Sequence, residues 1–158
     1  MQLVTKVSNG GVKVEQVTSL YASDADILVC PVCCQKKKQV NYPLQEFTYR
    51  FPYAYGAFRR ALDDGKIGRG EPYLANVIGS EQKVLWFPVH HAYDAHYQEE
   101  WIAEGIEWIR VNGLHKAHSI AFPAMGYYEE DEIDPKATFR LVSRLNDTAK
   151  VVSFHVNY

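Results

Sequence analysis

The chain has 158 residues, 47% hydrophobic and 13% aromatic, which is enough apolar surface for one filled core and too little length for two ordinary domains. Its 17 Lys and Arg against 19 Asp and Glu give a formal charge of −2, so the overall basic excess that drives sequence-blind binding to nucleic acid or anionic lipid is excluded. No run of about 18 apolar residues and no charged leader before an apolar stretch occurs, and the expectation is one cytoplasmic, membrane-free domain over residues 1–158. Cys30, Cys33 and Cys34, an odd number crowded into five positions, make a poor disulfide framework and suit reduced thiols.

Residues 1–17 alternate apolar and polar side chains around Ser8-Asn9-Gly10-Gly11, which predicts a strand pair joined by a tight turn. Ile27-Leu28-Val29-Cys30-Pro31-Val32-Cys33 is a nearly unbroken apolar run, the pattern of a parallel strand buried on both faces under helices. Lys36, Lys37 and Lys38 lead into an aromatic-rich stretch, residues 42–58, which reads as irregular around Pro52 until a helix over 53–64 stops at Gly65. Residues 73–78 and 83–89 read as two strands joined at Gly79-Ser80. A long helix is predicted over 97–111, where Trp101, Ile102, Gly105, Ile106, Trp108 and Ile109 recur at three- and four-residue spacing opposite a row of glutamates. Asn112-Gly113 supplies its left-handed stop. Residues 118–123 form the next strand. Asp134 and Pro135 cap and open a last helix through Leu145, with Ala137, Leu141, Val142 and Leu145 inward, and 151–156 close as a strand. Strands separated by helices imply a three-layer α/β/α domain with a mixed, largely parallel sheet.

Four constellations carry chemistry. The thiols Cys30, Cys33 and Cys34 either start a zinc site, which would need distant histidines because no second cysteine pair exists, or are buried thiols at a strand end. His90, His91, Asp94 and His96 follow a strand end, as a strand terminus with a helix cap, a metal site, or a histidine turned toward a ligand cleft. Adjacent histidines on extended backbone face opposite ways, so His90 and His91 share one ion poorly. Lys36, Lys37 and Lys38 either hold anionic oxygen or form a solvated loop. In Ala121-Phe122-Pro123-Ala124-Met125-Gly126-Tyr127-Tyr128, small residues and a glycine after a strand let backbone N–H groups approach an anion. Tyr127 and Tyr128 suit stacking on a base or sugar, or a partner interface.

Together these segments resemble the macrodomain family, closest to the branch of antitoxin macrodomains that remove ADP-ribose from nucleic acid and of ADP-ribose-phosphate phosphatases. Residues 26–33 look like the family strand that runs into Asn-Ala-Ala-Asn. Trp86-Phe87-Pro88-Val89-His90 and Ile102-Ala103-Glu104-Gly105-Ile106 look like the branch's Asn-Phe-Pro-Thr-Lys strand end and its Ile-x-x-Gly-Leu helix. Ser119-Ile120-Ala121-Phe122-Pro123-Ala124-Met125-Gly126 is similar to Ser-Ile-Ala-x-Pro-x-Leu-Gly. The departures fall on the site. The acidic adenine contact is matched by Thr18-Ser19-Leu20, the ribose-reaching asparagine by Cys33, and the glycine-rich loop after it by residues 35–40. The catalytic lysine is matched by His90, the second glycine loop by Tyr127-Tyr128-Glu129-Glu130-Asp131, and the adenine-stacking aromatic by Tyr158. A Cβ at a position that needs glycine costs about 1–2 kcal/mol, so the ligand is held differently or is a different ligand.

The resemblance implies a nucleotide-type small molecule, ADP-ribose-containing or otherwise NAD-derived, in a crevice at the strand ends, without metal or cofactor. Ser19, Leu20, Cys33, Lys36, Lys37, Lys38, Pro123, Ala124, Met125, Gly126, Tyr127, Tyr128 and Tyr158 would line it. If the chain is also an enzyme, an ADP-ribosyl hydrolase or phosphatase-type hydrolase, His90 or His91 is the acid/base. The rival reading is a protein-interaction module using the aromatic stretch 42–58; a nucleic-acid reading rests on the lysines and tyrosines.

Overall fold

A computed structural model of the chain describes residues 12–15, 20–34, 42–90, 98–125, 135–145 and 152–155. Among these described residues six strands form one sheet in the order β1-β6-β5-β2-β4-β3: β1 (Val12–Glu15), β2 (Ile27–Cys33), β3 (Tyr73–Asn76), β4 (Lys83–His90), β5 (Ile120–Pro123) and β6 (Val152–His155). All neighbouring pairs are parallel except β3 with β4, the hairpin expected at Gly79-Ser80. β1 pairs with β6; the partner expected for it in residues 1–7, and the turn at Ser8–Gly11, lie outside the described residues.

Alternation along the central strands separates two cores. Ile27 and Val29 of β2, Leu85, Phe87 and Val89 of β4, and Ile120 and Phe122 of β5 face α3 (Glu99–Val111) and α5 (Pro135–Val142). Leu28, Cys30 and Val32 of β2, Val84 and Trp86 of β4, and Ala121 of β5 face α1 (Tyr42–Arg50) and α2 (Pro52–Asp63). This double burial is what the unbroken apolar runs require, and it makes the domain three-layered. On α3, Trp101, Ile102, Gly105, Ile106 and Ile109 are buried, and Gly113 takes φ +67° at the stop.

Three elements differ from the sequence expectation. Residues 42–50 are helical rather than irregular, because Phe47, Phe51, Tyr55 and Phe58 keep helical spacing across Pro52. Phe51 N–H donates to Phe47 O and Tyr55 N–H to Phe51 O, each at 2.9 Å, so the proline removes one bond without ending the coil. A single turn, α4 (Leu114–Ala117), precedes β5, which shortens that strand to Ile120–Pro123. In α5 Thr138 is fully buried while Ala137 is half-exposed. No helix among the described residues is long and apolar enough to cross a membrane.

Candidate functional site

The connection after β2 runs to α1 and α2 on one face of the sheet, whereas that after β5 runs to α5 on the other. β2 and β5 are neighbours. Adjacent parallel strands whose onward connections part to opposite faces make a switch point, and the crevice outside their carboxyl ends is where open α/β sheets take ligands. The base of this pair is pinned. Asp26 N–H donates to Ser119 Oγ at 2.8 Å, Ser119 N–H returns a bond to Asp26 Oδ2 at 2.9 Å, and Ile27 N–H reaches Ser119 O at 3.0 Å.

At the tip of β2, Cys33 is buried and Cys34 half-buried. The register with β4 shifts between Val32 and Cys33, so that Val32 pairs with Pro88 and Cys33 with His90. Val89 is the extra residue of a bulge, and bulges re-aim side chains at strand ends. Its own side chain stays in the α3-side core, while its carbonyl accepts the Gln98 N–H at 3.3 Å. The start of α3 is thereby tied to the same end of the sheet. Beyond β5, Ala124 and Met125 send their side chains into the α3/α5 core. Such a segment offers a guest its backbone rather than its side chains.

Burial pushes the Cys30 thiol up. The Cys34 thiol is pushed up to about 12, by burial first and then by repulsion from Cys33 and Glu71. Both are therefore protonated at neutral pH, a poor state for a metal ligand or nucleophile. Among the described residues no group of three or more His, Cys, Asp or Glu is placed to hold a metal ion.

The candidate residues from the sequence divide as follows. Cys33, Pro123, Ala124 and Met125 lie at the tips of β2 and β5, and His90 ends β4 in register with Cys33. Leu20 is fully buried in the α1/α2 core. Ser19, Lys36, Lys37, Lys38, His91, Gly126, Tyr127, Tyr128 and Tyr158 lie outside the described residues. The aromatic stretch proposed for protein contact is mostly structural. Phe47 and Phe58 are fully buried and pack with Tyr55 around Trp86, the Phe58 and Trp86 rings stacked 4.9 Å apart. Tyr49, 85% exposed, and Tyr53, 52% exposed, face solvent. Sequence reading missed Pro31 as a site feature. Its signal was a proline inside a strand that otherwise reads as central.

No protein-family model matches the sequence, and no curated protein matches it significantly. The fold, by contrast, is shared with solved structures. The macrodomain of Thermus aquaticus DarG is 18% identical, with TM-score 0.77 over 92% of this chain and 99% of that one. The macrodomain of Mycobacterium tuberculosis DarG is 19% identical, with TM-score 0.73 over 89% and 96%. Thermosipho africanus DarTG in complex with ADP-ribose is 19% identical, with TM-score 0.75 over 92% of this chain and 41% of that one.

Proposed function

We propose that this chain, a macrodomain by fold, binds an ADP-ribose-containing or other NAD-derived nucleotide in the crevice above the tips of β2 and β5. The observation that carries the reading is the switch point itself, with β2 and β5 adjacent and their continuations leaving to opposite faces. The ADP-ribose complex of the structurally similar Thermosipho africanus protein supports the ligand class. In this reading the backbone after β5, through Gly126, donates N–H groups to a phosphate, and Lys36, Lys37 and Lys38 supply cations where the family resemblance leads one to expect glycine amides. Cys33 borders the ribose. Leu20, whose side chain is taken up by the core, contributes backbone beside Ser19. Tyr127, Tyr128 or Tyr158 stacks on the base.

Hydrolysis is the extension of this reading, with His90 or His91 as the acid/base and release of ADP-ribose or phosphate as the reaction class. The binding claim is tested by thermal shift with ADP-ribose, its phosphorylated forms, NAD and cyclic nucleotides. A ligand at 100 times its dissociation constant adds about 2.7 kcal/mol of stability, so a millimolar panel without any shift rejects the reading and favours the protein-contact alternative.

A further inference from the structure

We infer that the seam between β2 and β5 is an internal sheet edge whose upper rungs two prolines leave without ladder hydrogen bonds, and that Pro31 thereby keeps this backbone edge available to a guest in the crevice above it. The seam itself follows from the backbone alone; the role in ligand binding rests on the function proposed above.

Ile27 N–H donates to Ser119 O, and Ile27 pairs with Ile120 and Leu28 with Ala121. In a parallel ladder this fixes the phase of every later rung. The nitrogens of residues 27, 29 and 31 face β5, and those of 121 and 123 face β2. The next pairing, Val29 with Phe122, needs a hydrogen on residue 123 to reach Val29 O. The one after it, Cys30 with residue 123, also needs a hydrogen on residue 31 to reach the carbonyl of 123. Both positions are proline, and neither nitrogen carries a hydrogen. The ladder ends at Leu28 and Ala121, the last pair that requires no donor from either proline.

The same phase explains why the other seams are intact. Pro31 does not face β4, and that register continues to Cys33 with His90. Pro123 does not face β6, and that register continues to Pro123 with His155. Pro88 faces away from β2, two residues beyond Trp86, the partner of the first residue of β3. Proline is confined to sheet edges or bulges, yet Pro31 sits in a strand buried along its whole length; the resolution is that β2 is central at its base and an edge at its tip. The Asp26–Ser119 bonds close the base, so the stretch without ladder bonds is confined to the tip. The carbonyls of Val29 and Pro123 have lost their ladder donors and suit a hydroxyl or amide from water or guest.

The test compares Pro31→Ala and Pro88→Ala in the full chain by residue-resolved amide exchange and by calorimetric titration with ADP-ribose. In Pro31→Ala the new amide at position 31 is expected to be protected about a hundredfold over the unfolded rate, and ADP-ribose affinity to fall about tenfold. Pro88→Ala is expected to leave its new amide unprotected and the affinity unchanged. Exchange at the unfolded rate at position 31 overturns the seam. Protection there with unchanged affinity overturns its role in the crevice. Should Pro31→Ala not fold, Pro123→Ala restores the other missing donor and is read by the same two criteria. If the wild-type chain does not bind ADP-ribose, the functional reading fails alone and amide exchange still decides the seam.

Discussion

Replacing Gly105 by Ala tests how closely α3 is seated on the sheet. A Cβ built at Gly105 collides with Phe87 Cζ and lies 2.8 and 2.9 Å from Cε2 and Cε1, well inside van der Waals contact. Phe87 has little freedom to retreat, since it is fully buried and its ring meets Phe122 edge-on at a centroid distance of 6.5 Å. The helix must therefore lift from β4 or the ring must leave its rotamer. Overpacking of this kind costs about 1–3 kcal/mol, and a contact this short belongs at the upper end. Alanine recovers about 1 kcal/mol of helix propensity against glycine. The net expectation is a loss of about 2 kcal/mol, or about 4–8 °C in Tm for a chain of this size. Urea unfolding should show a lower midpoint with an unchanged slope, and Gly105→Ala combined with Phe87→Leu should cost less than the sum of the two single changes. A Gly105→Ala variant as stable as wild type would refute the close seating of α3 and show that the helix gains propensity at no packing cost.

Four further outcomes follow from the same structure. Thr138 Oγ1 is buried without a hydrogen-bond partner among the described residues, so Thr138→Val, which keeps the shape and removes the polar atom, should stabilise the fold by about 1 kcal/mol in urea titration; a loss would mean the hydroxyl is bonded. Arg69 donates from Nε and Nη2 to both Glu104 oxygens at 2.8 and 2.9 Å and holds that carboxyl below its ordinary value of 4.5. The contribution of this pair is present above pH 4.5 and is lost as the pH falls through the lowered value, so wild type and Glu104→Gln should differ at neutral pH and converge in acid; a constant difference would count against the pair. With Cys34 pushed up to about 12, iodoacetamide followed by peptide mass analysis should leave it near background at pH 8 and label it as the pH is raised toward that value; rapid labelling at pH 8 would contradict its burial. For the hydrolytic extension, His90→Ala should abolish turnover with ligand affinity kept within a few-fold, and unchanged turnover would remove His90 from the mechanism.

The layers were legible because double burial leaves an unambiguous mark. The runs Ile27–Cys33 and Val84–Phe87 have no polar face, which suits strands sandwiched between helices, and α3 carries its apolar stripe opposite its glutamates. α1 was missed because Pro43 and Pro52 look like breakers, although Phe47, Phe51, Tyr55 and Phe58 hold one helical face across Pro52. The single turn of α4 is too short to produce any periodicity. At the site, a largely parallel sheet could be expected from the alternation of elements, but its strand order and the consequence of Pro31 and Pro123 could not. Whether a missing N–H matters depends on which neighbour the nitrogen faces, and that follows from register with a strand some ninety residues away. The same holds for His90, which a one-residue bulge aligns with Cys33.

The central claim is best tested by following backbone amide resonances during titration with ADP-ribose. Shifts that saturate together at Cys33, Cys34, Ala124 and Met125, with Tyr49 and Tyr53 unmoved, are the result this account predicts. Shifts confined to the α1–α2 surface, or none at millimolar ligand, would contradict a nucleotide seated at the tips of β2 and β5.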